Sequence, residues 1–271
     1  MYLEYYGLNE PPFDIAPNPR FLYFSPKHRE ALNHLLYGIR ERKGFVQLTG
    51  EVGAGKTTLC RSMMDQLNGT FETALILNPV LSADQLMKAI AMEFGLDVKG
   101  MDRLETVAEL NRFLLALASQ GRDAVLIIDE AQDLTLDLLE QVRLLSNLET
   151  DERKLLQIVL MGQPELRDRI REKGLRQLRQ RITVRYHLKP LTRQEVGQYI
   201  QHRLHVSGSQ GGPFFTPWAV RRVYRYSQGI PRLINGVCDK CMLAGYVQQQ
   251  DVINFWTVGK AIKELDGEVG E

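Results

Sequence analysis

Apolar residues follow two rhythms along the 271-residue chain. Short, almost unbroken apolar runs at 45–49, 73–77, 124–128, 155–161 and 182–188 read as strands buried on both faces. Between them the apolar positions recur every three or four residues. Ala31, Leu32, Leu35, Leu36 and Ile39 form one such stripe, which predicts a helix over 27–42. Further helices are predicted over 57–67, 83–94, 104–120, 134–148 and 164–171. Strands alternating with helices specify a parallel sheet covered on both faces. After Pro190 the strand signal stops, and 192–205, 217–227, 231–248 and 258–265 all read as helical. Thr192 with Glu195 three residues on is a capping box, and Thr216 is a second N-cap candidate.

The pattern divides the chain into four parts. Residues 1–26, rich in proline and aromatics, are expected to form a packed irregular arm, because proline fixes φ and lacks an N–H donor. Residues 27–189 form the five-stranded α/β domain, 190–265 a small all-helical domain, and 266–271 a tail. The stretch 207–213 is the most loop-like part of the helical half.

Composition narrows the class. The chain is 44% hydrophobic and 25% charged, with a net charge of +1, which excludes disorder as the main state and a strongly basic coat. Three cysteines, Cys60, Cys238 and Cys241, make no disulfide framework and suit a reducing compartment. The CxxC spacing of Cys238 and Cys241 lacks a second pair, so both are expected as small buried helix residues. The five histidines have no metal-ligand spacing. No signal peptide and no apolar run long enough to span a bilayer are evident, which points to a cytoplasmic protein.

The chemistry is concentrated at strand ends. Gly50, Glu51, Val52, Gly53, Ala54, Gly55, Lys56 and Thr57 match G-x-x-x-x-G-K-[ST] between a predicted strand and helix, and Thr58 follows them. Glycines let backbone N–H groups wrap a phosphate, and the helix start adds positive potential. Lys56 is expected on the β- and γ-phosphates and Thr57 on Mg²⁺. Two strands later, 124–128 ends in Asp129 and Glu130. Asp129 is expected to position Mg²⁺ and Glu130 to polarise water as a general base, a pairing that favours ATP over GTP chemistry. Gln163 ends the next strand as a γ-phosphate sensor, a water-orienting group or a turn residue before Pro164. Asn78 ends the 73–77 strand, either as a hydrogen-bond partner that restrains Glu130 or as an Asn-Pro turn. Residues 167–185 hold eight basic side chains against two acidic ones. They read as an arginine finger for a neighbouring subunit, a nucleic-acid patch or a solvated face. Arg232, in the run 229–232 at a helix start, is a candidate for reaching the phosphates.

Taken together, these motifs resemble the AAA+ ATPases, and more closely the ExeA/GspA family of general secretion pathway ATPases with the related pilus-biogenesis ATPase MshM. The resemblance rests on Gly7-Leu8, Pro12-Phe13, Pro19 to Tyr23, His28 to Leu32, the runs GEVGAGKTTLCR, IIDEAQDL and MGQPEL, Arg179 to Ile182, and GIPRLIN. It implies Walker A at 50–57, Walker B at 124–130, sensor 1 at Gln163 and sensor 2 at Arg232. The finger falls on Arg181, with Arg179 the alternative. It also implies an AAA+ sheet domain with a helical lid, ATP and Mg²⁺ as cofactors, and a homo-oligomer formed on ATP binding. A membrane partner of the GspB/ExeB type in secretin assembly is implied as well. Longer members reach peptidoglycan through a C-terminal part beyond a transmembrane helix. The present chain is then either truncated before that part or a short cytoplasmic relative. Two rivals remain: an ATP-dependent DNA-binding regulator of the transposition or replication-loader type, kept by the basic 167–185 segment and opposed by the low net charge, and a non-catalytic ATP switch, opposed by Glu130.

Overall fold

The computed structural model describes residues 1–267 apart from Pro17, residues 151–152 and residue 210. Residues 268–271 of the expected tail, Pro17 of the arm and Gln210 of the 207–213 loop therefore lie outside the described residues. The chain falls into two compact units. One holds Lys27–Gly50 and Leu59–Leu188; the other gathers Met1–Pro26, Glu51–Thr58 and Lys189–Glu271. In chain order the helices are α1 (Tyr2–Tyr5), α2 (Pro26–Arg40), α3 (Lys56–Leu67), α4 (Ala83–Glu93), α5 (Arg103–Ser119), α6 (Leu136–Leu145), α7 (Pro164–Ile170), α8 (Arg176–Arg181), α9 (Arg193–Val206), α10 (Pro217–Ser227), α11 (Pro231–Val247) and α12 (Phe255–Leu265). The strands are β1 (Phe45–Gly50), β2 (Phe71–Ile76), β3 (Asp123–Ile128), β4 (Leu156–Gly162), β5 (Ile182–Leu188), β6 (Phe214–Phe215) and β7 (Val252–Ile253).

In the α/β unit the five strands form one sheet in the order β2-β3-β4-β1-β5, parallel at every pairing. Every residue of β1, β3 and β4 is buried, as expected of central strands covered on both faces. The edge strand β5 instead alternates, with Ile182 and Val184 buried and Thr183 and Arg185 exposed. Helix α2 lies close to β1 at Gly38, where a Cβ would come 2.5 Å from Val46 Cγ2. Capping boxes fix the starts of α4 (Ser82 with Gln85) and α5 (Asp102 with Glu105). The segment after α7 had no predicted element, yet it forms a 3-10 turn at 173–175 and then α8. Leu175 and Leu178 anchor both to the core; two apolar residues among so many arginines are too few to show a period.

The second unit is built on α9 to α12, with Val196, Ile200, Val223, Ile234, Val237 and Met242 in its core. The predicted capping box of Thr192 and Glu195 is present. Two differences from the sequence reading stand out. This half also carries strand pairing: β6 and β7 form a short parallel pair, with Phe214 N–H donating to the Asp251 carbonyl (2.9 Å) and Thr216 N–H to that of Ile253 (3.0 Å). Two-residue strands are too short to show alternation. Helix α12 also begins three residues earlier than expected, because the Asn254 side chain accepts from Trp256 and Thr257 N–H and caps it there.

The arm is an integral part of this unit rather than a separate irregular segment. It starts with α1, forms a 3-10 turn at Pro19–Phe21, and sends Tyr6, Leu8 and Phe13 into the helical core. Buried Arg203 ties it down. Its Nε donates to the Pro12 carbonyl and its Nη2 to that of Asp14 (3.1 Å), while its guanidinium sits 4.7 Å from the Phe21 ring centre. Asn235 closes the set, donating to the same Asp14 carbonyl (3.1 Å) and accepting from Tyr199 (2.8 Å). Cys238 and Cys241 are fully buried free thiols on α11, with burial pushing both thiols up.

Phe13 is 1% exposed, so Phe13→Ala is expected to destabilise the helical unit by about 3–5 kcal/mol. Urea unfolding followed by tryptophan fluorescence reads this directly, because both tryptophans lie in that unit. An unchanged midpoint would mean that the arm is dispensable.

Candidate functional site

Parallel strands end at one edge of the sheet, so β1, β2, β3 and β4 deliver Gly50, Asn78, Asp129–Glu130 and Gln163 to the same side of the α/β unit. Asp129 is 2% exposed and continues the ladder, with its N–H on the Ile76 carbonyl (2.8 Å). Its Oδ1 accepts the Glu130 N–H (2.9 Å). Its charge also reaches Cys60 of α3, in the same unit. The Cys60 thiol is pushed up to about 12, mainly by burial and secondly by the Asp129 carboxylate.

Glu130 has φ +49°, a left-handed conformation that is strained for a residue with a long side chain. The turn directs its carboxylate into a network with two glutamines. Glu130 Oε2 accepts from Gln132 Nε2 (2.8 Å) and from Gln163 Nε2 (3.4 Å). Gln132 Oε1 in turn accepts the Gln163 backbone N–H (3.0 Å). One amide thus spans the ends of β3 and β4, and Gly162 leaves it room: a Cβ there would lie 2.6 Å from Gln132 Oε1. The sequence reading missed Gln132. The signal was present in the DEAQ run, where an amide two residues after Glu130 can turn back on it.

Glu130 and Gln163 are therefore brought together. Asn78 instead serves its own turn, its Oδ1 accepting Val80 N–H (3.3 Å). Of the basic segment, Arg169, Arg181 and Arg185 are turned onto their own chain, at the Leu134 carbonyl, the Ser146 hydroxyl and the Arg179 carbonyl. Arg167 and Arg171 both pair with Asp168 (3.9 and 3.3 Å). The Arg179 side chain is exposed.

In the helical unit, residues 51–55 form a tight loop entering α3, whose first residues, 56–58, belong to the same unit. Gly53 (φ +76°) and Gly55 (φ +96°) take left-handed conformations open to glycine. Lys56, 5% exposed, heads α3 and donates from Nζ to the Glu51 carbonyl (3.1 Å). The start of α11 packs on this loop: Arg232 N–H donates to the Gly53 carbonyl (3.2 Å), and a Cβ on Gly53 would fall 2.4 Å from Arg232 Cβ. Arg232 is thus joined to the loop by its backbone, with an exposed side chain beside it. Left-handed glycines, a lysine and a helix N-terminus are the donor set that phosphate requires. The Thr57 hydroxyl and the Asp129 carboxylate are hard oxygen donors suited to Mg²⁺.

Residues 39–170 match the AAA_22 family, an AAA domain. The chain is 49% identical over 268 residues to General secretion pathway protein A of Aeromonas hydrophila. The match covers 98% of this chain and 49% of that protein, so the chain spans about half the length of its relative. Among solved structures, the ORC2 protein of Aeropyrum pernix, determined as ADPNP–ADP complexes, superposes with a TM-score of 0.69 at 18% identity, covering 94% of this chain and 72% of that one. Cdc6p of Pyrobaculum aerophilum superposes with a TM-score of 0.68 at 16% identity, covering 92% and 70%. At these identities the two structures bear on the fold alone.

Gly53→Ala tests the junction of loop and helix. A left-handed alanine costs about 1–2 kcal/mol, and its methyl group meets Arg232. We expect lower stability and faster hydrogen exchange at the Arg232 amide. Unchanged exchange there would mean that the loop does not hold α11.

Proposed function

Because the chain belongs to the AAA+ ATPases of the general secretion pathway protein A type, we propose that it binds Mg²⁺–ATP and hydrolyses it to drive assembly or remodelling of an envelope complex. The observation that carries this reading is the loop of Gly53 and Gly55 leading into Lys56 and α3. Gly50 to Thr58 would wrap the phosphates, with Lys56 on the β- and γ-oxygens and Arg232 adding charge. Thr57 and Asp129 would hold Mg²⁺. Glu130 would take the proton of the attacking water, and Gln132 and Gln163 would aim its carboxylate. Asn78 would restrain Glu130 only after leaving its present turn.

The cellular setting rests on the resemblance to the general secretion pathway ATPases. Energy from ATP would be used beside an inner-membrane partner of the GspB/ExeB type, in a type II secretion or pilus-like system, with the present residues on the cytoplasmic side. No helix among the described residues is long and apolar enough to cross a membrane. A DNA-binding role finds less support in the basic segment, since Arg169, Arg181 and Arg185 donate to their own chain.

Calorimetry and turnover on three variants test the reading. Lys56→Ala is expected to abolish ATP binding. Glu130→Gln should bind ATP normally and lose about 10²–10⁴-fold in rate, the usual contribution of a general base. Gln132→Met, which keeps length but removes the amide, should bind ATP and fall between wild type and Glu130→Gln. Normal ATP affinity in Lys56→Ala, or a Glu130→Gln rate within threefold of wild type, would remove the basis for hydrolysis at these residues.

The end of α8 is proposed to complete a neighbouring subunit's site, by Arg181 once its guanidinium leaves the Ser146 hydroxyl or by Arg179 from its exposure. An arginine finger contributes about 10³–10⁵-fold in nucleotide hydrolases. The alanine variant of the acting residue should bind ATP, lose turnover and regain activity when mixed with Lys56→Ala. Wild-type specific activity should rise with protein concentration. Concentration-independent turnover without rescue for either arginine would mean that the protein works as a monomer.

A further inference from the structure

Between α10 and α12 the helical unit carries a groove of about 740 Å³ that contains none of the residues proposed to bind or hydrolyse nucleotide. Its walls are Trp218, Arg221, Arg222 and Arg225 on α10 and Phe255 and Trp256 on α12. Trp218 and Trp256 are the only tryptophans of the chain, and they are 63% and 73% exposed. The lining includes three arginines and no carboxylate.

Two of the three arginines rest on aromatic rings, and Arg225 is exposed beside them. Arg222 lies 4.2 Å from the Phe255 ring centre and donates from Nη1 to the Phe255 carbonyl (3.1 Å). Buried Gly259 makes space for it, since a Cβ there would lie 2.4 Å from the guanidinium carbon. Arg221 lies 5.4 Å from the Trp218 ring centre. Stacking on a ring reduces the side-chain freedom lost on binding and leaves the N–H edge of the guanidinium for an acceptor. Exposed tryptophan beside arginine is also the composition of protein-binding hot spots.

We propose that this groove docks an acidic linear segment of a protein partner, with carboxylates paired to Arg221 and Arg225 and an apolar side chain set between the two tryptophans. Planar guanidinium forks match carboxylates in bidentate geometry. Arg221 lies over the ring of Trp218 and Arg222 over that of Phe255, which leaves Trp256 as the one lining ring without a guanidinium over it, whereas single-stranded nucleic acid stacks successive bases on several open rings. The surface is concave, so a flat bilayer would not fill it. The inference is independent of ATP turnover, because binding is read without nucleotide.

The two tryptophans are the built-in probe. A synthetic peptide of Glu, Asp and Leu is titrated against the full chain while tryptophan emission is followed, with a Lys-for-acid peptide, an oligothymidylate and phosphatidylglycerol vesicles as parallel arms. A saturable change with the acidic peptide alone is expected, weakening with added salt. Arg221→Ala and Arg225→Ala should each weaken binding about tenfold, as loss of a charge-assisted hydrogen bond does. Both side chains line an open surface, and an unchanged unfolding midpoint verifies the fold of each variant. Trp218→Phe should reduce the signal and retain binding by calorimetry. No saturable response, an equal response to the lysine peptide, unchanged affinity in both arginine variants, or tighter binding of oligothymidylate or vesicles would each overturn the proposal. So would an emission change that follows protein concentration alone, which would make the groove a contact between copies of this chain.

Discussion

The parallel sheet imposes the constraint on which the α/β unit depends. Its central strands β1, β3 and β4 are buried on both faces along their whole length, where an unpaired charge would be prohibitively expensive. Charged chemistry can therefore begin only where a strand stops. Because all five strands run the same way, their stopping points fall together, and Asp129, Glu130 and Gln163 share one edge. The apolar runs and the acidic pair are consequences of the same arrangement.

The turn at Glu130 is where that arrangement stores strain. A left-handed glutamate is retained only where its surroundings over-determine it, and here they do. Asp129 accepts the Glu130 N–H, while Gln132 and Gln163 hold its carboxylate. The Gln132 amide uses both ends, one on the carboxylate and one on the backbone after β4. A shift of β4 relative to β3 would therefore move Glu130. This is a physical route by which an event at Gln163 reaches the carboxylate that we propose as the base.

Much of this was legible in the sequence, because the signals were dense and periodic. Each of the five sheet strands lies where an apolar run predicted it, since a doubly covered strand leaves little other composition. The tight loop before α3 was legible because left-handed turns require glycine at particular positions, as Gly53 and Gly55 illustrate. What escaped had too few residues or too distant a partner. Strands β6 and β7 have two residues each, α8 is mostly arginine, and the early start of α12 depends on Asn254 capping rather than on apolar spacing. The packing of the arm was hidden for another reason. Arg203 binds the carbonyls of Pro12 and Asp14 almost two hundred positions away, and nothing local marks an arginine as buried.

Arg203 and the arginines of the groove between α10 and α12 also illustrate how one residue type serves opposite ends. Arg203 is buried, with its donors met by two carbonyls and the Tyr199 hydroxyl; it holds the arm by satisfying groups that would otherwise be stranded. Arg221 and Arg225 lie at the surface, where they gain little from their own chain. An exposed arginine resting on an exposed tryptophan contributes little to folding, because water competes for both. Two such tryptophans, with no others in the protein, are more economically explained by a bound state than by the free one. That asymmetry between a cation used for folding and cations held ready at the surface is the physical ground for assigning the groove to a partner.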